Sequence, residues 1–168
     1  MVSIELEPLG YVKSDFDEDK GDKNEGYAIL EFDPKYTEAL DGIEEYSHIF
    51  VLYWMHKLDN SLRSIYKTHP RGREDLPLVG VLATRGKARP NPIGLTVVEL
   101  IERRGNLLKV KGLDAYDGSP ILDIKPYDYY DVKEGIKVPD WWLVVSSRKG
   151  LEHGRLIDAN RSGDKKDG

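Results

Sequence analysis

The sequence predicts an all-β fold, mainly a single antiparallel β-barrel with one or two short peripheral helices. Most of its apolar segments are short, they are rich in β-branched and aromatic residues, and Gly-containing turns join them. A closed barrel suits many short strands because it leaves no strand edge unpaired. The length of 168 residues favours one domain. We therefore predict one barrel domain over residues 1–160 and a disordered tail over residues 161–168.

The strand predictions come from apolar runs bounded by turn residues. Residues 48–55 are the most apolar and predict a central strand. Arg104-Gly105-Asn106 predicts a hairpin turn, and Asp117-Gly118 predicts a second turn whose two arms pair with each other. The predicted strands span residues 4–12, 27–32, 48–55, 79–83, 93–101, 107–116 and 120–127.

Two segments predict short helices. Asp33 suits an N-cap and Pro34 suits the first helical position, so a helix is expected through Leu40. A second is expected over residues 140–150. Between the first two strands, residues 15–26 are charged and contain two glycines, which predicts a mobile loop.

Composition limits the compartment and the partners. The chain has no cysteine, so disulfides and cysteine-based zinc sites are excluded, and its four histidines lack metal-ligand spacing, so no metal is expected. No apolar run approaches the roughly 20 residues that span a bilayer, and no signal peptide is visible, so we expect a cytoplasmic protein without membrane contact. The net charge of −5 means that any nucleic-acid contact must come from a local basic patch.

The Pro-rich segment over residues 84–96 is the densest functional signal. Pro90 and Pro92 fix φ on either side of Asn91 and push Arg89 and Asn91 out of helical geometry. A stiff loop that holds cations in place can bind a carboxylate or a phosphate with little loss of entropy. A rigid surface turn with solvated charges is an equally good interpretation of this segment.

A second signal follows the Asp117-Gly118 turn. Strand alternation predicts that Ile121, Asp123 and Lys125 share one face, with the two charges between apolar residues. Burial makes an unpaired charge costly there. The pair is either a structural salt bridge or a ligand-facing charge pair at the mouth of the barrel.

The end of the apolar strand is the third signal, because it presents His56 and Lys57 directly. Such residues either line a pocket or are a solvated strand terminus, and the residues alone favour the terminus. The sequence also lacks the glycine-rich motifs of Rossmann and phosphate-loop nucleotide sites.

In order and spacing these segments resemble the TrmO-like (YaeB-like) family. That family carries Ala-Thr-Arg and Arg-Pro-Asn-Pro-Ile-Gly, followed by Asp-x-x-Asp-Gly-[Ser/Thr]-Pro-x-x-Asp-Ile-Lys-Pro-Tyr. The corresponding segments here are residues 83–85, 89–94 and 114–127. Residues 42–57 are also similar, and the likeness covers roughly residues 5–130.

The resemblance implies a β-barrel methyltransferase that acts as a homodimer with S-adenosyl-L-methionine as its cofactor. It also implies a tRNA substrate, methylated at N6 of threonylcarbamoyladenosine beside the anticodon. The implied cofactor-binding residues are His56, Lys57, Arg85, Arg89, Leu113, Asp114, Ala115 and Tyr116. Candidate catalytic residues are Asp114, Asp123 and Lys125, and the sequence does not choose among Asp114, Asp123 and His56 as a general base.

Two other functions stay open. Relatives carry a Pro-Arg-Gln-type motif in the first long loop, where this chain has the acidic residues 17–25, so the methyl acceptor can differ. Alternatively, the barrel binds S-adenosylmethionine or a nucleoside without catalysis. Turnover of the methyl donor separates this last possibility from the two enzymes.

Overall fold

The computed structural model describes residues 1–20 and 25–146. Contacts between Cα atoms divide the chain into two compact units. The first contains Met1–Ser64 and Lys87–Val132, and the second contains Ile65–Gly86 and Lys133–Gly168. The tail predicted at 161–168 and the part of the predicted helix after residue 146 lie outside the described residues. The single domain over residues 1–160 stays a prediction.

The first unit contains a closed antiparallel barrel, which confirms the predicted fold class. The strands in the described residues are β1 (Gly10–Ser14), β2 (Tyr27–Phe32), β3 (His48–Trp54), β4 (Lys67–Thr68), β5 (Val79–Gly80), β6 (Ile93–Arg104), β7 (Leu107–Lys111) and β8 (Pro120–Pro126). Around the barrel the strand order is β1-β2-β7-β6-β3-β8.

Alternation along the strands fills the barrel interior. In β3 every second residue is buried, so Ile49, Val51 and Tyr53 point inward while their neighbours point outward. The other strands supply the remaining inward side chains. The largest fully buried hydrophobic side chains are Phe32, Leu30, Ile49, Leu108, Ile121, Val12, Val51, Val98 and Val110.

The barrel closes where β1 meets β8. Only Gly10 with Ile121 and Tyr11 with Pro120 are paired there. On its other side Gly10 pairs with β2, and a Cβ atom at Gly10 would lie 2.1 Å from the carbonyl oxygen of Glu31. Glycine is therefore required for the close approach of these strands.

The end of the barrel where β6 ends and β7 begins is covered by short 3₁₀ segments. The predicted helix after Asp33 is a 3₁₀ helix over Pro34–Leu40, and the Asp33 carboxylate accepts a hydrogen bond from the Lys35 amide at 3.0 Å. Arg103, whose side chain is 12% exposed, donates to the carbonyls of Thr37 and Leu40 at 3.0 Å each. The Arg103 guanidinium thus fastens this cover to β6.

Three strand predictions need correction. The first strand begins at Gly10, because Pro8 precedes it and the preceding segment is exposed. The strand predicted at 79–83 ends at Gly80 and continues as a 3₁₀ turn. The arms of the Asp117-Gly118 turn do not pair, because β7 ends at Lys111 and its two sides are taken by β2 and β6.

The second unit is small. In its described part β4 and β5 form a two-stranded antiparallel sheet, and the 69–73 segment follows β4. The predicted C-terminal helix is present as α1 (Asp140–Val145). Among the described residues, no helix is long and apolar enough to cross a membrane.

Gly10→Ala should destabilise the barrel. The added methyl group meets backbone atoms that cannot rotate away, so we expect the free energy of unfolding to fall by about 1–3 kcal/mol or more. Urea unfolding followed by tryptophan fluorescence measures this. Gly26→Ala is the matched control, since no atom lies within 4 Å of its added carbon and a change below about 0.5 kcal/mol is expected. Equal stability of the two variants would contradict the closure argument.

Candidate functional site

One end of the barrel brings together the segments that the sequence singled out. The register pairs Trp54 at the end of β3 with Ile93 at the start of β6. The Val12 amide in β1 donates to the Ser119 carbonyl at 3.0 Å, which places the loop before β8 at the same end. The residues after β3, the Pro-rich loop and residues 112–119 therefore meet there.

His56 lies against the turn before β8. A Cβ atom at Gly118 would be 3.7 Å from its Nε2 atom, so glycine leaves room for the imidazole. Burial lowers the pKa of His56 below 6.5, and the neighbouring charge of Lys57 lowers it further, while Asp117 acts in the opposite direction. A lowered pKa favours the neutral imidazole near pH 7, and one ring nitrogen of that form can accept a proton.

An aromatic pair lies beside Lys57. The Lys57 ammonium lies over the Tyr116 ring at 5.0 Å from its centroid. The Phe16 ring packs edge-on against Tyr116, with 5.6 Å between the centroids. A planar ligand can compete for the face of Tyr116 that Lys57 now covers.

Cations from the Pro-rich loop complete this end. Lys87 pairs with Glu18, which raises the pKa of Lys87 despite partial burial. Arg63 donates to the Pro90 carbonyl at 2.7 Å and so holds the loop against the end of β3. Lys87 and Arg89 line a cavity of about 60 Å³ beside His56. Ligand sites usually measure roughly 300–1,000 Å³, so this cavity is smaller than a typical ligand site.

Asp114 is held by two hydroxyl groups. Thr96 donates to its Oδ1 atom at 2.5 Å, and Tyr53 donates to the same oxygen at 3.2 Å. Tyr53 lies directly across from Gly94 in β6, where a Cβ atom would be 2.2 Å from the tyrosine ring. Gly94 thus lets the ring fold over the strand and reach Asp114. These contacts fix the start of the 113–116 segment.

The predicted cofactor residues differ in whether their side chains or only their backbone groups can contact a ligand. His56, Lys57, Asp114 and Tyr116 present side chains at this end of the barrel. Leu113 is 3% exposed and Ala115 is fully buried, so their side chains belong to the core and only their backbone groups can face a ligand.

Arg85 belongs to the second unit, whereas Arg89 belongs to the first. The Arg89 side chain lines the cavity beside His56. Of the two arginines in the Pro-rich segment, Arg89 is therefore the one that the first unit itself presents at the candidate site.

Asp123 and Lys125 lie elsewhere. Their side chains pair with each other at 3.0 Å and are 43% and 66% exposed. A β-bulge shifts the register between β3 and β8, so Asp123 pairs with Leu52 on the outer face while Ile121 pairs with Tyr53 on the inner face. The predicted shared face of Ile121 and Asp123 is wrong for this reason. The salt-bridge alternative is observed, and a catalytic role for this pair stays a prediction.

Sequence reasoning missed several members of the site. Tyr53, Thr96 and Phe16 were not candidates, although each contacts one. Glu18 and its partner Lys87 were not among the candidate residues either. Gly94 inside an apolar strand was an available signal, because an interior glycine often marks the close approach of a large side chain. For residues 1–20 and 25–146, no group of three or more His, Asp or Glu side chains is placed to hold a metal ion.

Comparison with known proteins identifies the family. The model of the tRNA-methyltransferase O N-terminal domain matches residues 13–132. A "Probable S-adenosyl-L-methionine-binding protein" of Methanothermobacter thermautotrophicus is 43% identical over 136 residues, which cover 78% of this chain and 94% of the relative. An "S-adenosyl-L-methionine-binding protein" of Archaeoglobus fulgidus is 44% identical over 128 residues, covering 73% and 88%.

Solved structures agree with these matches. One crystal structure of TrmO from Pseudomonas aeruginosa has a TM-score of 0.67 at 28% identity, covering 94% of this chain and 75% of that one. Another has a TM-score of 0.62 at 32% identity, and this chain spans 64% of its length. The barrel fold and these matches together support an S-adenosylmethionine-dependent methyltransferase of the β-barrel type. The chain belongs to the tRNA-methyltransferase O family, because the model of that family's N-terminal domain matches residues 13–132.

The side chains at the barrel end fit S-adenosylmethionine in chemical type. The amino-acid part of this cofactor carries a carboxylate, which suits Lys57, Lys87 and Arg89. Its adenine suits the face of Tyr116. Its sulfonium suits a nearby carboxylate, which Asp114 can provide. The fit is one of donor and acceptor types, since the cavity itself is small.

The pKa of His56 can be checked by NMR titration of its imidazole. We expect a midpoint below 6.5, because burial and Lys57 both disfavour the charged form. Lys57→Gln should raise the midpoint, whereas Asp117→Asn should lower it further, since Asp117 stabilises the imidazolium. A midpoint at or above 6.5, or variant shifts of the opposite sign, would show that burial and the charge of Lys57 do not lower the pKa of His56.

Proposed function

We propose that the chain methylates N6 of threonylcarbamoyladenosine beside the anticodon of tRNA. The observation that supports this best is the grouping of a neutral histidine, a partly exposed tyrosine and several cations at one barrel end. The family membership supports the same reaction. TrmO from Pseudomonas aeruginosa resembles this chain over 94% of this chain and 75% of the TrmO chain.

We assign cofactor binding to the residues that the resemblance implied and to their neighbours. Arg89 and Lys57 bind the carboxylate, Tyr116 stacks on the adenine, and backbone groups of Leu113 and Ala115 contribute hydrogen bonds. S-adenosylmethionine supplies a methyl group on a sulfonium whose positive charge is lost on transfer, so a partly dehydrated site favours the reaction. Arg85 is assigned to the same cofactor by the resemblance alone.

The acceptor chemistry gives His56 a role. A carbamoyl group delocalises the N6 lone pair and makes the N6 proton more acidic than that of adenosine itself. His56 accepts this proton as the new bond from N6 to the methyl carbon forms, which a neutral imidazole can do at pH 7. Asp114, held by Thr96 and Tyr53, positions the segment that carries Tyr116. We therefore rank His56 above Asp114 and Asp123 as the general base.

We further propose a cytoplasmic homodimer. The outer face of β3, β6 and β8 carries exposed apolar side chains, among them Leu95 at 47% and Val97 at 40% exposure. The Phe50 and Tyr127 rings pack on each other on the same face, with 5.4 Å between centroids. Apolar and aromatic surface of this kind is enriched in protein interfaces. Light scattering is the direct measurement of this assembly.

Arg89→Ala should damage binding much more than folding. The side chain comes from a loop, so its loss opens no core cavity and the free energy of unfolding should change by less than about 1 kcal/mol. Loss of a charge-assisted contact should weaken S-adenosylmethionine binding by about 1.5–3 kcal/mol, or tenfold and upward, in calorimetry. Arg104→Ala, at the far end of the barrel, is the control. An Arg89 variant that unfolds readily but binds normally would make Arg89 structural.

The acceptor is tested with tRNA prepared with and without the threonylcarbamoyl group. Methylation should require the modified tRNA, because the carbamoyl group acidifies the N6 proton and its threonyl carboxylate offers a contact for a cation. Mass spectrometry of the nucleosides after reaction with labelled cofactor gives the result. Equal methylation of both tRNAs would contradict the specificity. Methylation of a small molecule, with both tRNAs left unmodified, would support a different acceptor.

A further inference from the structure

We propose that the outer face of β1, β2 and β7 is an RNA-binding surface that holds the substrate beside the candidate site. This inference rests on the proposed tRNA methylation, and it names the part of the barrel that grips the RNA. The surface, which we call the Lys–Tyr face, consists of Lys13, Tyr27, Ile29, Lys109 and Lys111.

The strand register assembles the Lys–Tyr face. Lys13 in β1 pairs with Ile29 in β2, and Ile29 pairs in turn with Lys109 in β7. Tyr27 pairs with Lys111 one step along the same strands. Each of them has a buried residue on at least one side in sequence, so strand alternation directs these five side chains away from the core. Three lysines and one tyrosine thus share one patch.

The chemistry of the patch suits single-stranded RNA. The Tyr27 side chain is 58% exposed, and the ammonium groups of Lys109 and Lys111 lie 4.7 and 5.7 Å from its ring centroid. An exposed ring offers a base a stacking surface, and flanking cations offer contacts to the phosphates on either side of it. Within residues 1–20 and 25–146, Lys13, Lys109 and Lys111 form no ion pair. Their charge is therefore available to an anion.

The patch is local, as an acidic chain requires. The net charge is −5, so attraction to RNA cannot come from the surface as a whole. The neighbouring acids are Asp15 and Asp117 at one rim, Glu31 on the same face of β2, and Glu99 and Glu102, which pair with Lys111 and Lys109 across β6 and β7. Glu102 is in turn ion-paired with Arg104. The positive side chains of the patch are therefore confined to a small part of the barrel surface.

The Lys–Tyr face is continuous with the candidate site. An open depression of about 440 Å³ over this face is lined by Lys13, Tyr27 and Lys109 and extends to Asp117. The Asp117 carboxylate accepts a hydrogen bond from the Ser14 amide at 3.1 Å, and its charge acts on His56. The depression therefore reaches a residue whose charge acts on the proposed base.

The test measures binding of the full chain to a labelled RNA hairpin with a single-stranded loop, by fluorescence anisotropy over a range of salt concentrations. The Lys109→Ala/Lys111→Ala variant should bind about 25-fold more weakly near 0.1 M salt. The slope of log K against log salt should fall in magnitude by about 1.4, since each phosphate contact on a single strand contributes about 0.7. S-adenosylmethionine affinity should stay unchanged, while KM for tRNA in methyl transfer rises.

Tyrosine variants separate stacking from charge. Tyr27→Ala should weaken RNA binding about fivefold or more without changing the salt slope, because stacking releases no counterion. Tyr27→Phe keeps the ring and should restore binding. If the alanine variant bound RNA as tightly as the phenylalanine variant and the wild type, the stacking part of the proposal would be overturned.

A matched control removes two positive charges elsewhere. Lys35 pairs with Glu7 and lies over the Tyr36 ring, and Lys67 lies in β4 of the second unit, so neither belongs to the Lys–Tyr face. The Lys35→Ala/Lys67→Ala variant changes net charge as much as the lysine pair does, and it should bind RNA like the wild type. An equal loss in both double variants would overturn the Lys–Tyr face, leaving tRNA methylation intact. A wild-type chain that neither binds nor methylates any RNA would reject both.

Discussion

The barrel depends on the tight packing at β1, which pairs with β2 on one side and with β8 on the other. Two residue pairs join β1 to β8, so the closure has little redundancy. Gly10 stands in both pairings, and the space that a side chain would need is taken by the Glu31 carbonyl. If this crossing opened, β1 and β8 would become free edges and the interior between them would meet water.

Closure also determines where the chemistry can lie. Because neighbouring strands run in opposite directions, the end of β1, the end of β3 and the start of β6 and β8 all meet at one rim. His56, Arg89 and Tyr116 are far apart in sequence and become neighbours only through that rim. Two cations there already have partners, with Lys57 over Tyr116 and Lys87 on Glu18. Ligand binding is therefore an exchange of partners.

Sequence patterns predicted the barrel well because most strands follow simple alternation and end in recognisable turns. The strand from Tyr27 to Phe32 and the Gly105 turn are examples. The same rule failed in β8, where the bulge opposite Tyr53 turned Asp123 outward. A bulge inserts one residue and reverses the face of everything after it, and no local pattern in residues 120–127 marks it. The Tyr53 and Thr96 contacts to Asp114 were equally hidden, since they join three separate segments.

The cover fastened by Arg103 has a consequence for how the family can vary. The cover closes one end of the barrel through the buried Leu40 and through the carbonyls that accept hydrogen bonds from Arg103. The stability of that end therefore does not involve the candidate site. The contacts of Arg103 that stabilise the barrel and the candidate site thus lie at opposite ends of the barrel. Loops at the candidate site can change in length and charge while the covered end keeps the barrel folded.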